Sequence, residues 1–169
     1  SDSNGVDYRS VMPTNLYGPE DNYHSTNSHV IPGLIRRFHE AKISSKSEVI
    51  IWGTGKPKRE FLHVDDFAKA AIFLMNLSKE NFYKYGHPMC SHINVGSGHE
   101  LSILRLANKI KKIVGYKGKI VFDKTKPDGV EKKLLSSKII NKLGWQPKIK
   151  LEKGLTNVYD LYKKKYDLL

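Results

Sequence analysis

The sequence has a single cysteine, Cys90, and no stretch approaching the ~20 consecutive apolar residues that a membrane span needs. One cysteine excludes an internal disulfide bond and fits a reducing cytoplasm. The first five residues lack the basic and apolar regions of a signal peptide. We therefore expect a cytoplasmic protein that has no membrane partner, with Cys90 as a structural thiol.

Arginine is also scarce, since it accounts for five of the 29 basic residues, and the lysines are spread along the whole chain. A net charge of +12 is typical of proteins that bind nucleic acid. However, no basic run interleaves with aromatic residues as in a platform that stacks bases. We therefore rank a nucleic-acid-binding protein last and expect no such partner. The positive field would instead attract a substrate that carries a diphosphate.

Two common ligand-binding motifs are missing from the chain. The seven histidines show neither H-E-x-x-H nor Cys/His spacing, so we predict no metal site. The segment Gly96-Ser97-Gly98 resembles a phosphate loop, but Leu101 stands where the third glycine of G-x-G-x-x-G would be. A plain turn between a strand and a helix is the simpler interpretation of these glycines.

The elements that the sequence does predict alternate between short strands and helices, which indicates α/β architecture. A chain of 169 residues can bury one core, and we expect residues 1–169 to form a single domain. The predicted strands cover 6–12, 48–52, 59–64, 92–95 and 119–122, and the Gly/Pro turn 53–57 joins the second strand to the third as its partner. Five helices are predicted. The first covers 30–42 and the last 151–166. Between them, one helix runs from a cap at Asp65 or Asp66 to 77, one from a cap at Ser102 to Gly115, and one from Ser136 or Ser137 to Gly144.

A polar loop over 13–28 follows the first predicted strand. It begins Pro13-Thr14-Asn15-Leu16-Tyr17-Gly18, at the carboxyl end of the strand, where open α/β sheets place ligands. Long ordered loops usually carry function. A tight turn built from Pro, Asn and Gly explains the same composition, so both interpretations stay open on the residues alone.

Several side chains after this loop suit proton transfer or phosphate binding. His29 precedes a predicted helix and can exchange a proton near neutral pH, although a helix cap or a surface residue is the simpler interpretation. Arg36 and Arg37 lie on that helix, and a guanidinium group offers the planar fork that phosphate recognition favours. The alternative for this pair is a solvated helix face.

Two further places on the chain could bind a nucleotide. Trp52 and Arg59 flank the 53–57 turn, where an indole can pack on a base or sugar and an arginine can bind a diphosphate. A hydrophobic anchor beside a surface charge is the alternative. Lys126-Pro127-Asp128-Gly129 is a turn signature in its own right.

Longer segments resemble a known family. They are Tyr8-Arg9-Ser10-Val11-Met12-Pro13-Thr14-Asn15-Leu16-Tyr17-Gly18-Pro19, Asn27-Ser28-His29-Val30-Ile31-Pro32, and the Trp-Gly-x-Gly-x-Pro-x-Arg-x-Phe run that starts at Trp52. Together they resemble the extended short-chain dehydrogenase/reductase superfamily, whose members modify nucleotide-activated sugars. Within it they are most similar to NADP-dependent epimerase–reductases that convert GDP-4-keto-6-deoxy-mannose to GDP-L-fucose.

The resemblance implies a fold and an extent. The fold would be α/β, the C-terminal substrate-binding part of such an enzyme with residual strands of an incomplete Rossmann-type sheet. The glycine-rich fingerprint and the Tyr-x-x-x-Lys pair of the superfamily do not precede the match, so we expect the N-terminal dinucleotide-binding half to lie outside this chain. Cys90 does not match the family's acid/base cysteine, which also belongs to that half.

The resemblance also implies roles for individual residues. His29 would be catalytic, because the matching histidine delivers a proton during epimerisation. Contacts to NADP, which the N-terminal half would mainly bind, are implied for Pro13, Thr14, Asn15, Leu16 and His29. Contacts to the GDP-sugar are implied for Arg37, Trp52, Arg59, Asp128 and Lys133, whereas Arg36 would form a salt bridge.

These implications give an enzyme that is a homodimer at full length and is inactive as this chain alone. Within the same class, the rival is another nucleotide-sugar epimerase, dehydratase or reductase. A rival from a different class is a GDP-sugar-binding module without catalytic activity. The glycine fingerprint and the Tyr-x-x-x-Lys pair in the full reading frame would favour the enzyme.

Overall fold

Short strands and helices alternate along the computed structural model, which describes residues 7–85 and 92–166. The strands are β1 (Ser10–Pro13), β2 (Asn15–Tyr17), β3 (Glu48–Trp52), β4 (Lys58–His63), β5 (His92–Val95), β6 (Glu100–Ser102), β7 (Lys119–Asp123) and β8 (Lys132–Lys133). The helices are α1 (Val30–Ile43), α2 (Val64–Met75), α3 (Lys79–Tyr83), α4 (Ile103–Val114), α5 (Lys138–Lys142) and α6 (Leu151–Tyr166). The α/β prediction is confirmed, and the prediction for Cys90 lies outside the described residues.

The strands of the described residues form small sheets with mostly parallel pairing. β1 pairs with β5, and β3 pairs with β7, each in parallel. The third sheet centres on β4, which pairs in parallel with β2 and β8 and antiparallel with β6. Such fragmentary, largely parallel sheets agree with the predicted incomplete Rossmann-type sheet.

The predicted pairing of β3 with β4 is wrong. β4 is buried from Glu60 to His63, a pattern typical of a central strand that needs neighbours on both edges. Those edges are taken by β2, β6 and β8, while β3 extends its ladder to β7 through the Gly53 amide, which donates to the Asp123 carbonyl at 2.9 Å. The 53–57 turn therefore crosses from one sheet to another.

Three predicted helices are confirmed closely. α1 buries Ile31, Leu34, Ile35 and Phe38, the apolar positions that predicted it. α4 begins at its predicted cap, where the Ser102 hydroxyl accepts from the Arg105 amide at 3.2 Å. α6 covers the predicted 151–166. Regular apolar spacing explains why these helices can be predicted from sequence.

The prediction that Asp65 or Asp66 caps α2 is wrong. The cap is His63, whose Nδ1 accepts from the Asp65 amide at 3.2 Å. Asp66 is buried instead, and its Oδ2 accepts from the amides of Lys148 and Ile149 at 2.9 and 2.7 Å. The carboxylate thus ties the start of α2 to the segment before α6.

Three short strands were not predicted. β2 lies inside the supposed loop over 13–28, β6 separates the Gly96-Ser97-Gly98 turn from α4, and β8 follows the 127–129 loop. Strands of two or three residues carry too little periodicity to stand out in a sequence. All three pair with β4, so they are made by long-range contacts rather than by local preference.

The buried side chains form two clusters. The first joins α1, α4 and α6 over β3 and is centred on Phe38, Leu106 and Leu155. The second joins α2, β5 and α5 and includes Leu74 and Ile140. Burial of each such side chain contributes about 1.5–3 kcal/mol. The first cluster holds the start of α1 beside the end of β3, where the candidate site lies.

Candidate functional site

A cleft of about 280 Å³ lies where α1, β3, β4 and the loop over 127–129 meet. Its wall includes predicted site residues from all four places: His29, Arg37, Trp52, Arg59 and Asp128. These residues span 100 positions of the sequence, so their convergence depends on the fold. The cleft combines apolar surface with arginines, as a site for a charged organic ligand requires.

His29 lies at the N-cap of α1, with an extended backbone and no side-chain capping bond. Its side chain is 84% exposed, and its Nδ1 is 3.8 Å from Oδ1 of Asp21. His29 also lines a second cavity, of about 140 Å³, together with Asn15 and Leu16. The imidazole therefore stands between two cavities, where it can reach a ligand in either.

Trp52 is 62% exposed at the end of β3, which is unusual for so large an apolar side chain. The guanidinium carbon of Arg37 lies 5.9 Å from its ring centroid, and the Lys126 Nζ lies at 5.8 Å. Both distances are within the range of cation–π contacts. An exposed indole beside two cations is suited to contact an anionic ligand that carries rings.

Arg59 and Asp128 join β4, the 53–57 turn and the 127–130 loop. The Arg59 Nη1 donates to the carbonyls of Val130 and Lys58 at 2.6 and 2.7 Å. Asp128 accepts from the Thr54 amide at 2.8 Å and from the Thr54 hydroxyl at 2.5 Å. These bonds, the hydroxyl bond foremost, hold the pKa of Asp128 below its usual value. The carboxylate retains further lone pairs with which to accept a ligand's hydrogen bond.

Lys133 differs from the other predicted substrate residues. It lies exposed in β8, opposite Arg59 in the parallel register, and is not among the residues of the cleft wall. Arg36 agrees with its prediction: its Nε bonds Glu40 at 2.5 Å, and its Nη1 donates to the Tyr23 carbonyl at 2.9 Å.

The residues implied for cofactor contact are divided by the structure. Thr14 is buried, and its hydroxyl donates to the Glu60 carbonyl at 3.3 Å. The Asn15 amide donates to the same carbonyl at 2.7 Å. Asn15 and Leu16 line the 140 Å³ cavity with His29, whereas Pro13 and Thr14 are not in its lining.

Glu60 is a residue that the sequence reasoning missed. Its carboxylate is fully buried and accepts from the amides of Gly98 and Leu135 at 2.6 and 3.1 Å. A Cβ on Gly96 would lie 2.5 Å from Glu60 Oε1, so this position needs glycine. The sequence offers little signal for this role, because β4 also contains Lys58, Arg59 and His63, among which one more polar residue does not stand out.

Residues 7–85 and 92–166 hold no group of three His, Cys, Asp or Glu side chains that could bind a metal ion. Within the same ranges, every helix is too short or too polar to cross a membrane.

Comparison with protein families matches residues 1–96 to the model of the NAD dependent epimerase/dehydratase family. Because the match covers more than half of the chain, and the parallel-strand fold and cleft agree with it, the chain belongs to this family. The resemblance to extended short-chain dehydrogenase/reductases is thereby confirmed.

Individual relatives indicate a narrower group within this family. The chain is 54% identical over 163 residues to the GDP-L-fucose synthase of Escherichia coli (strain K12), and the match covers 96% of this chain and 51% of that protein. A solved GDP-6-OMe-4-keto-L-xylo-heptose reductase from C. jejuni is 34% identical with a TM-score of 0.89, over 96% of this chain and 56% of that one. A GDP-L-fucose synthetase from Naegleria fowleri, solved bound to NADP, is 29% identical with a TM-score of 0.81. That match covers 94% of this chain and 47% of the other.

The chain thus spans about half the length of the curated relatives that it matches. The predicted similarity to GDP-L-fucose synthases is confirmed.

Proposed function

We propose that this chain is the GDP-sugar-binding part of an NADP-dependent enzyme that converts GDP-4-keto-6-deoxy-mannose to GDP-L-fucose. The observation that carries the proposal is the shared cleft of His29, Arg37, Trp52, Arg59 and Asp128. The similarity to the E. coli GDP-L-fucose synthase supports the choice of substrate.

In this proposal the cleft binds the nucleotide part of the substrate. Arg37 and Arg59 bind the diphosphate through charge-assisted hydrogen bonds. Trp52 packs on a ring of the ligand, and Asp128 accepts hydrogen bonds from guanine or ribose. Lys133 would reach a phosphate from β8, next to Arg59.

His29 is the proposed acid/base group of the epimerisation. The ketone at sugar carbon 4 acidifies the protons on carbons 3 and 5. A base outside this chain, which the family resemblance implies is a cysteine, takes each proton and leaves an enolate. His29 then gives a proton to the carbon from the other face, which inverts that centre. Its place between the two cavities supports this role, because the sugar would lie between nucleotide and cofactor.

Pro13, Thr14, Asn15, Leu16 and His29 are proposed to contact one end of NADP. Of these, Asn15, Leu16 and His29 line the smaller cavity. Asn15 gives one hydrogen to the Glu60 carbonyl and retains a second amide hydrogen and an acceptor oxygen, which suit an amide-bearing ring. At about 140 Å³, the cavity falls below the ~300–1,000 Å³ of drug-sized ligands. We therefore propose that residues outside this chain bind most of the cofactor, which when bound supplies hydride to carbon 4.

A second candidate is a reductase of another GDP-4-keto sugar. The similarity to the C. jejuni heptose reductase, with its TM-score of 0.89, favours it specifically. The two candidates differ in the sugar and share the nucleotide, so the cleft serves both. For either enzyme we propose a cytoplasmic homodimer whose ligands are small molecules, not nucleic acid or membranes.

The test of the proposed site is nucleotide binding by the full-length enzyme that contains this chain, measured by calorimetry. We expect GDP-mannose to bind more tightly than UDP-glucose. Arg59→Ala should weaken GDP-mannose binding by roughly 1.5–3 kcal/mol, the value of a hydrogen bond to a charged group, or about 10- to 150-fold.

Arg105→Ala is the matched control, because Arg105 is an exposed arginine on α4 outside the cleft wall. It should leave affinity unchanged. Equal affinity for the two nucleotides, or equal effects of the two arginine variants, would count against this site.

A further inference from the structure

Asp21 places a carboxylate beside the proposed acid/base group. Its Oδ1 lies 3.8 Å from Nδ1 of His29, and its side chain is 16% exposed against 84% for the histidine. We infer that Asp21 is a positioning residue that holds the Nδ1 edge of the imidazole and so presents Nε2 to the substrate. The inference rests on the proposed function of His29 and goes beyond it by naming the partner and the reacting nitrogen.

The loop that carries Asp21 is folded onto its neighbours. The Arg36 guanidinium donates to the Tyr23 carbonyl at 2.9 Å, and the Asn22 side-chain amide donates to the Asn27 carbonyl at 2.7 Å. The Tyr23 ring lies 4.6 Å from the ring of Tyr162 on α6. These contacts fix the backbone on the C-terminal side of Asp21, so its distance from His29 follows from the fold.

The carboxylate itself is oriented as well. The Asn22 amide donates to Oδ1 of Asp21 at 2.7 Å. An asparagine at position 21 could accept this bond through its own side-chain oxygen, so Asp21→Asn removes the charge while it keeps the turn. The neighbouring Glu20 points elsewhere and pairs with Lys165 at 2.8 Å, which makes Glu20→Gln a control with the same loss of charge.

A carboxylate on the Nδ1 edge has a defined chemical consequence. A neutral imidazole carries its hydrogen on one nitrogen, and the hydrogen bond at the other edge decides which. Asp21 favours the Nδ1–H form, which leaves the Nε2 lone pair free to take a proton. Nε2 takes that proton from water. In the epimerisation step the Nε2–H bond breaks and a C–H bond forms at the enolate carbon, on the face opposite the base that removed the substrate's proton. The ring returns from imidazolium to neutral, and no proton passes to Asp21.

The separation of 3.8 Å is within ion-pair range and longer than a direct hydrogen bond. Catalytic hydrogen bonds are often long without substrate and shorten in the Michaelis complex. Closing the pair to hydrogen-bond distance requires the two side chains to approach by about 1 Å.

The first test reads the tautomer directly, in the full-length enzyme labelled with ¹⁵N-histidine. A long-range ¹H–¹⁵N correlation spectrum at about pH 8, where histidine is ordinarily neutral, separates the two tautomers. His29→Gln assigns the signal. We expect Nδ1–H in the wild type and in Glu20→Gln, and Nε2–H in Asp21→Asn. An Nε2–H wild type, or no change in Asp21→Asn, would overturn the inference.

The second test follows deuterium entry at carbons 3 and 5 of the keto-sugar. Asp21→Asn should lower the exchange rate at saturating substrate by about 10- to 100-fold, by analogy with the loss of a carboxylate that orients a metal-bound histidine, with KM unchanged. Asp21→Glu should recover part of the rate. Wild-type exchange by Asp21→Asn would overturn the inference, as would an equal loss in Glu20→Gln.

The two tests separate the inference from the function on which it rests. Absence of exchange in the wild type would refute the proposed reaction. The tautomer measurement would then still show whether Asp21 positions His29. If Asp21→Asn fails to fold, the wild type and Asp21→Glu still test the inference. Both keep the carboxylate, so both spectra should show the Nδ1–H tautomer.

Discussion

Asp128 shows how one carboxylate can shape a ligand cleft. Its two oxygens bind the amide and hydroxyl of Thr54, 74 positions earlier, and so join the two walls beside Trp52. Gly53 must be glycine here, since its φ is +82° and an added Cβ would collide with the Asp128 carboxylate. The lowered pKa means that this link is complete above the ordinary aspartate value of 3.8 and is lost only as pH falls through the lowered value.

His29 is the residue on which the proposed chemistry depends most. We predict that His29→Gln in the full-length enzyme slows deuterium exchange at carbons 3 and 5 by on the order of 100- to 10,000-fold. Glutamine cannot shuttle a proton, whereas binding should persist because the side chain is 84% exposed at the edge of the cleft. NMR of keto-sugar in deuterated water gives the rate, and calorimetry gives nucleotide affinity.

His99→Gln is a control for histidine loss, since His99 is exposed and lines neither the cleft nor the 140 Å³ cavity. It should exchange at the wild-type rate. Wild-type exchange by His29→Gln with intact affinity would rule out the acid/base role. A proportionate loss of binding and exchange would instead make His29 a residue that positions the substrate.

At the scale of elements, Asp66 joins α2 to the segment that leads into α6. We predict that Asp66→Asn lowers the free energy of unfolding by about 1–3 kcal/mol, because it weakens two hydrogen bonds from backbone amides to a buried carboxylate. Urea denaturation of the full-length enzyme measures the change. Asp65→Asn is the matched control, since Asp65 is adjacent and exposed, and equal effects of the two variants would contradict the assignment.

Helices were more predictable than strand partners. The apolar spacing of α1 and the Ser102 cap of α4 lie within the segments that form these helices, so both helices could be predicted from sequence. The partners of β4 could not, because β2, β6 and β8 come from distant parts of the chain. Nothing in the 53–57 turn indicates that it crosses between sheets instead of closing a hairpin.

The candidate site shows the same division. Arg37, Trp52 and Arg59 could be proposed from their residue types and from the family resemblance, and the fold brings them to one cleft. Lys133 was proposed on the same grounds but lies outside the cleft wall. Glu60 and Asp21 were missed, because their partners lie in other elements or depend on how a loop folds.

For the whole molecule, we propose that the two cavities divide the ligands, with the GDP-sugar in the cleft and one end of NADP in the smaller cavity. The 280 Å³ cleft takes its lining mainly from α1, β3, β4 and the 127–129 loop. The 140 Å³ cavity is lined by the Asn15–Leu16 segment, the start of α1 and Phe61. Since the chain spans about half the length of its curated relatives, we propose that the other half completes this second cavity.

The small volume of the second cavity predicts that the 169 residues by themselves do not oxidise NADPH with GDP-4-keto-6-deoxy-mannose, although they carry the residues proposed to bind the GDP-sugar. His29 can move protons, but hydride transfer needs a cofactor held against carbon 4, and a 140 Å³ cavity cannot hold a dinucleotide. Loss of absorbance at 340 nm measures oxidation, with the full-length enzyme as the positive control. A His29→Gln, Arg59→Ala double variant reveals contaminating activity. Turnover by the chain above that level would contradict the division between the two cavities.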